Sequence, residues 1–418
     1  MRPVVGIDFG TTNSVVAVLG ADGAVRTLRF PGGAFLGENT FRSVLCFWLE
    51  GRARALRHAS GPAAVEAYLD DPLDSRLIMS MKTYLAQHSF TRTQVHGRPF
   101  GLEQMIALFL RDLLAGADLR DAVVVAGRPV RFAGELADDA LGEARLREAY
   151  RLAGVGEVEV AYEPEGAGYR FTRTLDGPAT VLIGDFGGGT SDFSVLRFEP
   201  GGAQPVTALA TTGVGVAGDS FDYRIIDHVI SPLLGKGSTY RPVAQDLPVP
   251  IEYYAGFARW HRLSLMRSPK TLREIGEVAD VAAEPEKLRR LLHIIEEELG
   301  YPMYQTVSAV KAALSSAEVA TLRFDAGTFV IEAEVRRADF EDWIAPDLAQ
   351  LSAAVDRALQ QAGVAGVDRV FLTGGTSYVP AVRRLFERRF GASIVSGGGE
   401  FVSVAEGLAL IGRDRKRG

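Results

Sequence analysis

Cysteine is nearly absent from this sequence: Cys46 is the only one in 418 residues. That excludes an internal disulfide and any thiolate metal cluster. Its apolar neighbours in SVLCFWL predict a buried strand residue. The six histidines show no metal-ligand spacing such as H-E-x-x-H. Long apolar runs are missing too. None approaches the ~18 residues needed to cross a bilayer, so no membrane partner is expected. The N-terminus enters VVGIDFG at once, and Asp8 breaks the apolar stretch, which argues against a signal peptide and for the cytoplasm. Excess positive charge is also lacking. A net charge of −6 argues against a nucleic-acid partner, which needs a clustered basic face. The cluster Arg413 to Arg417 reads as a solvated tail. There is no Walker A sequence, G-x-x-x-x-G-K-[ST], anywhere in the chain.

What is present is an internal echo. VVGIDFGTTNSVVAVLGADGAVRTL near the start is answered by VLIGDFGGGTSDFSVLRFEPGGAQPVTAL in the middle. Each reads as a strand ending in Asp-Phe-Gly, a Gly/Thr turn, a second strand, a Gly-containing turn and a third strand. The turns Ala21–Asp22–Gly23 and Pro200–Gly201–Gly202 occupy equivalent places. A chain of this length suits two lobes, and two copies of one unit imply that the lobes are related. Their Asp-Phe-Gly turns would face each other across a cleft, where small-molecule sites concentrate. Helical stretches such as ELADDALGEARLREAYRLAG alternate with strands such as DAVVVAG and DRVFLTGG, which predicts α/β architecture. Lys236 to Leu314 differs in character, and Leu288, Leu291, Leu292 and Ile295 share one helical face. It reads as a helical subdomain. The expected division is lobe I over 1–175 with an insertion at 30–105, lobe II over 176–412 with a helical insertion at 217–345, and a basic tail at 413–418.

Three motifs carry the chemistry. In GIDFGTTNS a strand delivers Asp8 to its end. Gly10, Thr11, Thr12 and Asn13 follow as a phosphate-binding turn, because glycine permits positive φ and lets successive N–H groups approach an anion. A carboxylate beside phosphates needs a cation between them, so Asp8 implies Mg²⁺ held through water. GDFGGGTSD repeats the logic: Gly187, Gly188 and Gly189 cradle the phosphates, Thr190 reaches the terminal one, and Asp185 and Asp192 add a second acidic wall at the metal. In VFLTGGTSYVPAVRRLFERRFG a strand ends near Gly374 and Gly375, and a helix starts near Pro380. A flat nucleoside can lie against those glycines, with Thr376 and Tyr378 beside it.

Two look-alikes fail. Gly213-x-Gly215-x-x-Gly218 matches a dinucleotide fingerprint, but it follows a meander and no second parallel strand arrives on schedule. Its glycines suit contact with phosphates instead. Ser308-x-x-Lys311 lacks the companion motifs of a serine acylase, and the Asp-Phe-Gly elements lack a kinase catalytic loop.

The motifs and their order resemble the actin, sugar-kinase and heat-shock ATPase superfamily, and their wording resembles the heat shock protein 70 family. The resemblance rests on Asp8-Phe9-Gly10-Thr11-Thr12, on Asp185 to Asp192, and on Tyr162-Glu163-Pro164 in place of Asn-Glu-Pro. It extends to Met81-Lys82-Thr83-Tyr84, Ala217-Gly218-Asp219-Ser220-Phe221-Asp222, Val310-Lys311-Ala312-Ala313-Leu314-Ser315-Ser316 and Val404-Ala405-Glu406-Gly407. It implies a two-lobed actin-like ATPase fold, with duplicated ribonuclease-H-like lobes that each hold a mixed five-stranded sheet. It also implies slow hydrolysis of ATP to ADP with Mg²⁺. Lys82, Glu163, Asp185 and Asp192 would place the attacking water, Thr190 would touch the γ-phosphate, and Gly218, Asp219, Lys311 and Ser315 would contact nucleotide. The implied role is a chaperone-like switch, monomeric, read by a protein client or co-chaperone. An actin-like filament and a small-molecule kinase are the alternatives. Two family arginines that sandwich adenine are replaced by Ala312 and Tyr378. The sequence ends at IGRDRKRG with no peptide clamp of the family type, as in the short, YegD-type branch.

Overall fold

The computed structural model describes residues 2–30, 38–132, 136–172, 175, 177–199, 206–258, 266–397 and 403–415. The chain forms two compact units. One comprises Met1–Gly215, Leu351–Ser377 and Val382–Gly418; the other comprises Val216–Gln350 and Tyr378–Ala381.

In the first unit the echo becomes two sheets of one topology. Strands β1 (Val4–Phe9), β2 (Asn13–Leu19) and β3 (Val25–Thr27) form an antiparallel meander, and β4 (Phe41–Arg42) also pairs with β2. On the other side of β1, β5 (Val123–Arg128) and β6 (Val158–Tyr162) continue in parallel, giving the order β6-β5-β1-β2-β3. The second sheet repeats this. Here β7 (Ala179–Phe186), β8 (Ser191–Phe198) and β9 (Val206–Val214) form the meander, and β10 (Arg369–Thr373) and β11 (Val395–Gly397) extend it in parallel beyond β7. The fold is therefore α/β with a repeated mixed sheet, as the actin-like class requires. The Gly-containing turn at Ala21–Asp22–Gly23 places Gly23 in the left-handed region, with φ +77°. Its counterpart at Pro200–Gly201–Gly202 lies outside the described residues.

Strand periodicity distributes β1 between two cores. Val5, Ile7 and Phe9 join one with helices α1 (Leu102–Leu113) and α2 (Asp139–Ala153). Val4 joins the other, which draws on both sheets through Val15, Ala17, Val181, Ile183 and Leu196. Between those sheets run α3 (Glu163–Thr172) and α4 (Ser403–Arg415). A shared core of this kind brings the two hairpins together. The crossing of α3 and α4 needs glycine, since a Cβ at Gly407 would meet the backbone of Gly166. Cys46 lies fully buried in the strand Val44–Glu50, and burial pushes its thiol up to about 11, which leaves it unreactive.

At the C-terminus, expected to be a solvated basic tail from 413, Arg415 is exposed and Arg413 half-buried. α4 runs through Arg415, Arg413 bonds Asp414 at 2.6 Å, and Arg415 lies 3.7 Å from Glu159. The last three residues lie outside the described set.

The second unit combines helices with a hairpin of Val319–Asp325 and Val330–Arg336. In its Pro285–Glu296 helix the buried face is Leu288, Leu291, Ile294 and Ile295, while Leu292 is only half-buried. Ile294 takes the place expected of Leu292 because positions i, i+3, i+6 and i+7 turn inward. Among the described residues no helix is long and apolar enough to cross a membrane.

Candidate functional site

The two hairpins are built to one register. Asp8 stands opposite Val15 and Phe9 opposite Ser14; Asp185 stands opposite Asp192 and Phe186 opposite Ser191. A four-residue turn closes each, Gly10 to Asn13 and Gly187 to Thr190. The second hairpin differs by one substitution of consequence, Asp192 where the first has Val15, so it presents two facing carboxylates. Glycine is needed in these turns for closeness rather than for left-handed φ: a Cβ at Gly10 would strike the Asn13 carbonyl, and one at Gly187 would stand 3.2 Å from the Thr190 carbonyl. Neither residue has positive φ. Gly374 does, at φ +86°, and a Cβ there would strike the backbone of Phe186. The strand end at Thr373-Gly374 thus lies directly against the second turn.

Lys82 reaches the same place from a short 3₁₀ turn, Met81–Tyr84, entered through Ser80 at φ +54°. A serine held in the left-handed region is a strained choice, of the sort that concentrates at functional sites. The Lys82 Nζ donates to Glu163 Oε1 at 2.6 Å, with both side chains almost wholly buried. Glu163 opens α3 just after β6.

Around this ion pair the carboxylates raise one another. Protein surrounds Asp8, and that burial, together with the charges of Glu163 and Asp185, holds its carboxyl well above the usual range against the pull of Lys82. Burial and the Glu163 charge push Asp185 up to about 6, with Lys82 opposing. Burial, then the charges of Asp185 and Glu163, push Asp192 up to about 7, opposed by Lys82 and by a hydrogen bond from Thr190. Burial pulls Lys82 down, but Glu163, Asp8 and Asp185 outweigh it and the net direction is up. Four carboxylates thus share one ammonium, and the set is short of positive charge. Such a set fits a divalent cation that keeps most of its waters and takes phosphate oxygens as ligands. It does not fit a bare metal cage, because among the described residues no group of three or more His, Cys, Asp and Glu could hold an ion alone. A cavity of about 290 Å³, counting its open mouth, lies here, lined in part by Pro129, Val130, Glu163, Asp185 and Asp192.

A Hsp70 protein family model matches residues 136–237 and 287–413, more than half of the chain. The chain belongs to the Hsp70 family. That family is one of nucleotide-binding chaperones with ATPase activity that work with Mg²⁺. The matched segments contain Glu163, Asp185, Thr190 and Asp192, whereas Asp8 and Lys82 lie outside them. What ties those two into this Hsp70 protein's site is geometry.

The remaining expected residues divide by unit. Thr12 accepts from the Ser43 amide at 2.8 Å, and the Asn13 side chain is 3.4 Å from Arg42. Gly374, Gly375 and Thr376 follow β10 in the first unit. Gly218, Asp219, Lys311, Ser315 and Tyr378 belong to the second. There Lys311 is already engaged, donating to Asp222 Oδ2 at 2.8 Å and to the Gly218 carbonyl at 3.1 Å. Tyr378 is half exposed. The look-alike glycines do lead from β9 to a helix, Gly218–Ile225, but β9 is an antiparallel edge strand, which removes the dinucleotide reading.

Sequence reasoning missed three residues. Arg128, at the buried end of β5, donates to the carbonyls of Pro129 and Val130 and to Glu143, and stacks over Tyr162. Its signal was an arginine closing an otherwise apolar strand. Tyr150 is fully buried and its hydroxyl has no partner among the described residues, although the charges of Asp8 and Glu163 act on it. Arg145 is the third. Nothing in the sequence distinguishes either of the last two from an ordinary helix residue.

Proposed function

We propose that this Hsp70-family chain binds Mg-ATP through its two hairpin turns and hydrolyses it slowly, as a switch read by a protein client or co-chaperone. One observation carries the reading: the buried Lys82–Glu163 pair meets three aspartates, two of them at the ends of hairpins of one register. Phosphoryl transfer asks mainly for positioning and charge neutralisation. Amides of Gly10 to Asn13 and of Gly187 to Thr190 suit the phosphate oxygens, and the Thr190 hydroxyl suits the terminal one. Glu163 holds Lys82 so that its ammonium faces the transferring group. Asp192, facing Asp185 across the second hairpin, is placed to accept a proton from the attacking water. Asp185 and Glu163 keep it basic by their charge. Asp8, Asp185 and Asp192 would hold Mg²⁺ through water, and the ion would neutralise charge growing on the phosphoryl oxygens.

Single-turnover hydrolysis of Mg-ATP, with calorimetric binding alongside, tests this on the wild type and Lys82→Ala. The expected result is slow turnover by the wild type and binding without turnover by the variant. A wild type that binds no adenine nucleotide ends the reading, and equal turnover by the variant removes Lys82 from the mechanism. The switch itself predicts different limited-proteolysis patterns in ATP and ADP; identical patterns would refute it.

A further inference from the structure

The Lys82 ammonium is held within hydrogen-bond range of Glu163 by a stretch of chain with little regular structure of its own. From Ser80 to Phe90 the backbone makes successive short turns: Thr83 to Ser80, Leu85 to Lys82, Gln87 to Tyr84 and Phe90 to Gln87. Turns of this kind hold weakly by themselves, since each fixes several dihedrals for one bond; burial of Met81, Leu85 and Ala86 in the core anchors the segment's apolar side. Yet a lysine buried beside four carboxylates must be held to a fraction of an ångström.

The segment is fastened from outside, by α2. Arg145, on the second turn of that helix, aims its guanidinium at the carbonyls after Lys82. Its Nη1 lies 3.0 Å from the Gln87 oxygen and 3.3 and 3.4 Å from those of Leu85 and Tyr84. Its Nη2 donates to Phe90 at 3.0 Å, and its Nε faces Glu103 of α1 at 3.1 Å. One step earlier, the Asp138 amide donates to the Ala86 carbonyl at 3.0 Å. Five carbonyls between 84 and 90 therefore turn towards one helix end. The arginine side chain is only 13% exposed, so these charge-assisted bonds, of 3.0 to 3.4 Å and shared among several carbonyls, are largely shielded from water. The planar fork matters: an ammonium cannot serve carbonyls on two sides at once.

We infer that Arg145 is the positioning residue for Lys82, a clamp that fixes the Met81–Tyr84 turn by capturing the carbonyls of Tyr84, Leu85, Gln87 and Phe90. The inference rests on the proposed function for the importance of Lys82, but its first test does not. Folded Arg145→Ala is treated with N-hydroxysuccinimidyl acetate, and acylation of each lysine is followed by peptide mass spectrometry. Lys82 acylation is expected to rise about tenfold over wild type, as for the loss of one or two local hydrogen bonds. Lys311, buried in its own ion pair with Asp222 in the other unit, is expected to stay at its wild-type rate. An unchanged Lys82 rate overturns the inference, and so does a parallel rise at Lys311, which is general loosening. If Arg145→Ala does not fold, Arg145→Lys decides: it keeps stem and charge but not the fork, and the same selective rise at Lys82 is required. In hydrolysis, positioning predicts a fall in kcat with KM little changed, whereas a purely structural arginine would leave kcat per folded molecule unaltered. Inactive wild type would end the proposed function and leave the acylation result standing.

Discussion

At Asp192 charge and stability conflict. Its carboxyl ordinarily titrates at 3.8 and here is pushed up to about 7, first by burial and then by Asp185 and Glu163. A folded-state value above the unfolded one means that the folded protein holds the proton more tightly between those limits. Stability from this group is therefore undiminished near pH 4, falls as pH rises towards 7, and stays reduced above it. Asp185, raised to about 6, acts in the same direction. Lys82 is raised, so its contribution is present below its ordinary value of 10.5 and does not change across this window. Asp192→Asn should accordingly stabilise the nucleotide-free protein at pH 8 by up to about 4 kcal/mol and by little at pH 4. Urea denaturation at the two pH values measures the difference. An equal effect at both would mean that the carboxyl is not raised.

At the scale of elements, the structure turns on helices meeting strands and each other at backbone distance. α4 lies against β1, where a Cβ at Gly6 would strike Ala405, and against α3, where one at Gly407 would strike Gly166. Side chains cannot yield when the obstacle is backbone, so Gly407→Ala should cost about 3 kcal/mol, the upper range for overpacking. It should also displace Glu163 at the start of α3. Thermal denaturation tests the first effect, and Lys82 acylation reports the second. The expectation fails if both match wild type. α2 shows how elements reach the site without touching it. Asp138 caps it by accepting from the Leu141 amide at 3.0 Å, Gly154 ends it at φ +88°, and in between it presents Glu143, Arg145 and Tyr150 inward. The helix itself was legible in the stretch ELADDALGEARLREAYRLAG. The reach of Arg145 to Phe90 was not, since it joins residues 55 positions apart along the chain.

For the whole molecule, a site holding four carboxylates and one ammonium should be relieved by its ligand. Mg-ADP at a hundredfold excess over its dissociation constant should stabilise the protein by about 2.7 kcal/mol. Removing Mg²⁺ with EDTA should abolish most of that gain. Scanning calorimetry gives the answer, and a Tm indifferent to Mg-ADP would count against the nucleotide reading. The sequence by itself determined the repeated hairpin, the α/β class, the glycine-rich turns and the acids Asp8, Asp185 and Asp192 beside them. Those features are local: alternating apolar strands, a glycine-rich turn and a polar residue at a strand end are written in consecutive letters. Lys82 was visible only through family resemblance, because a lone lysine in a loop carries no pattern. Only the tertiary structure decided that Lys82 bonds Glu163 across 81 positions of sequence. It alone showed that Arg145 fastens the turn carrying Lys82, and that burial sets Asp185 and Asp192 near neutrality. Desolvation and charge coupling depend on what surrounds a group in space, and that exists only once both hairpins share a core.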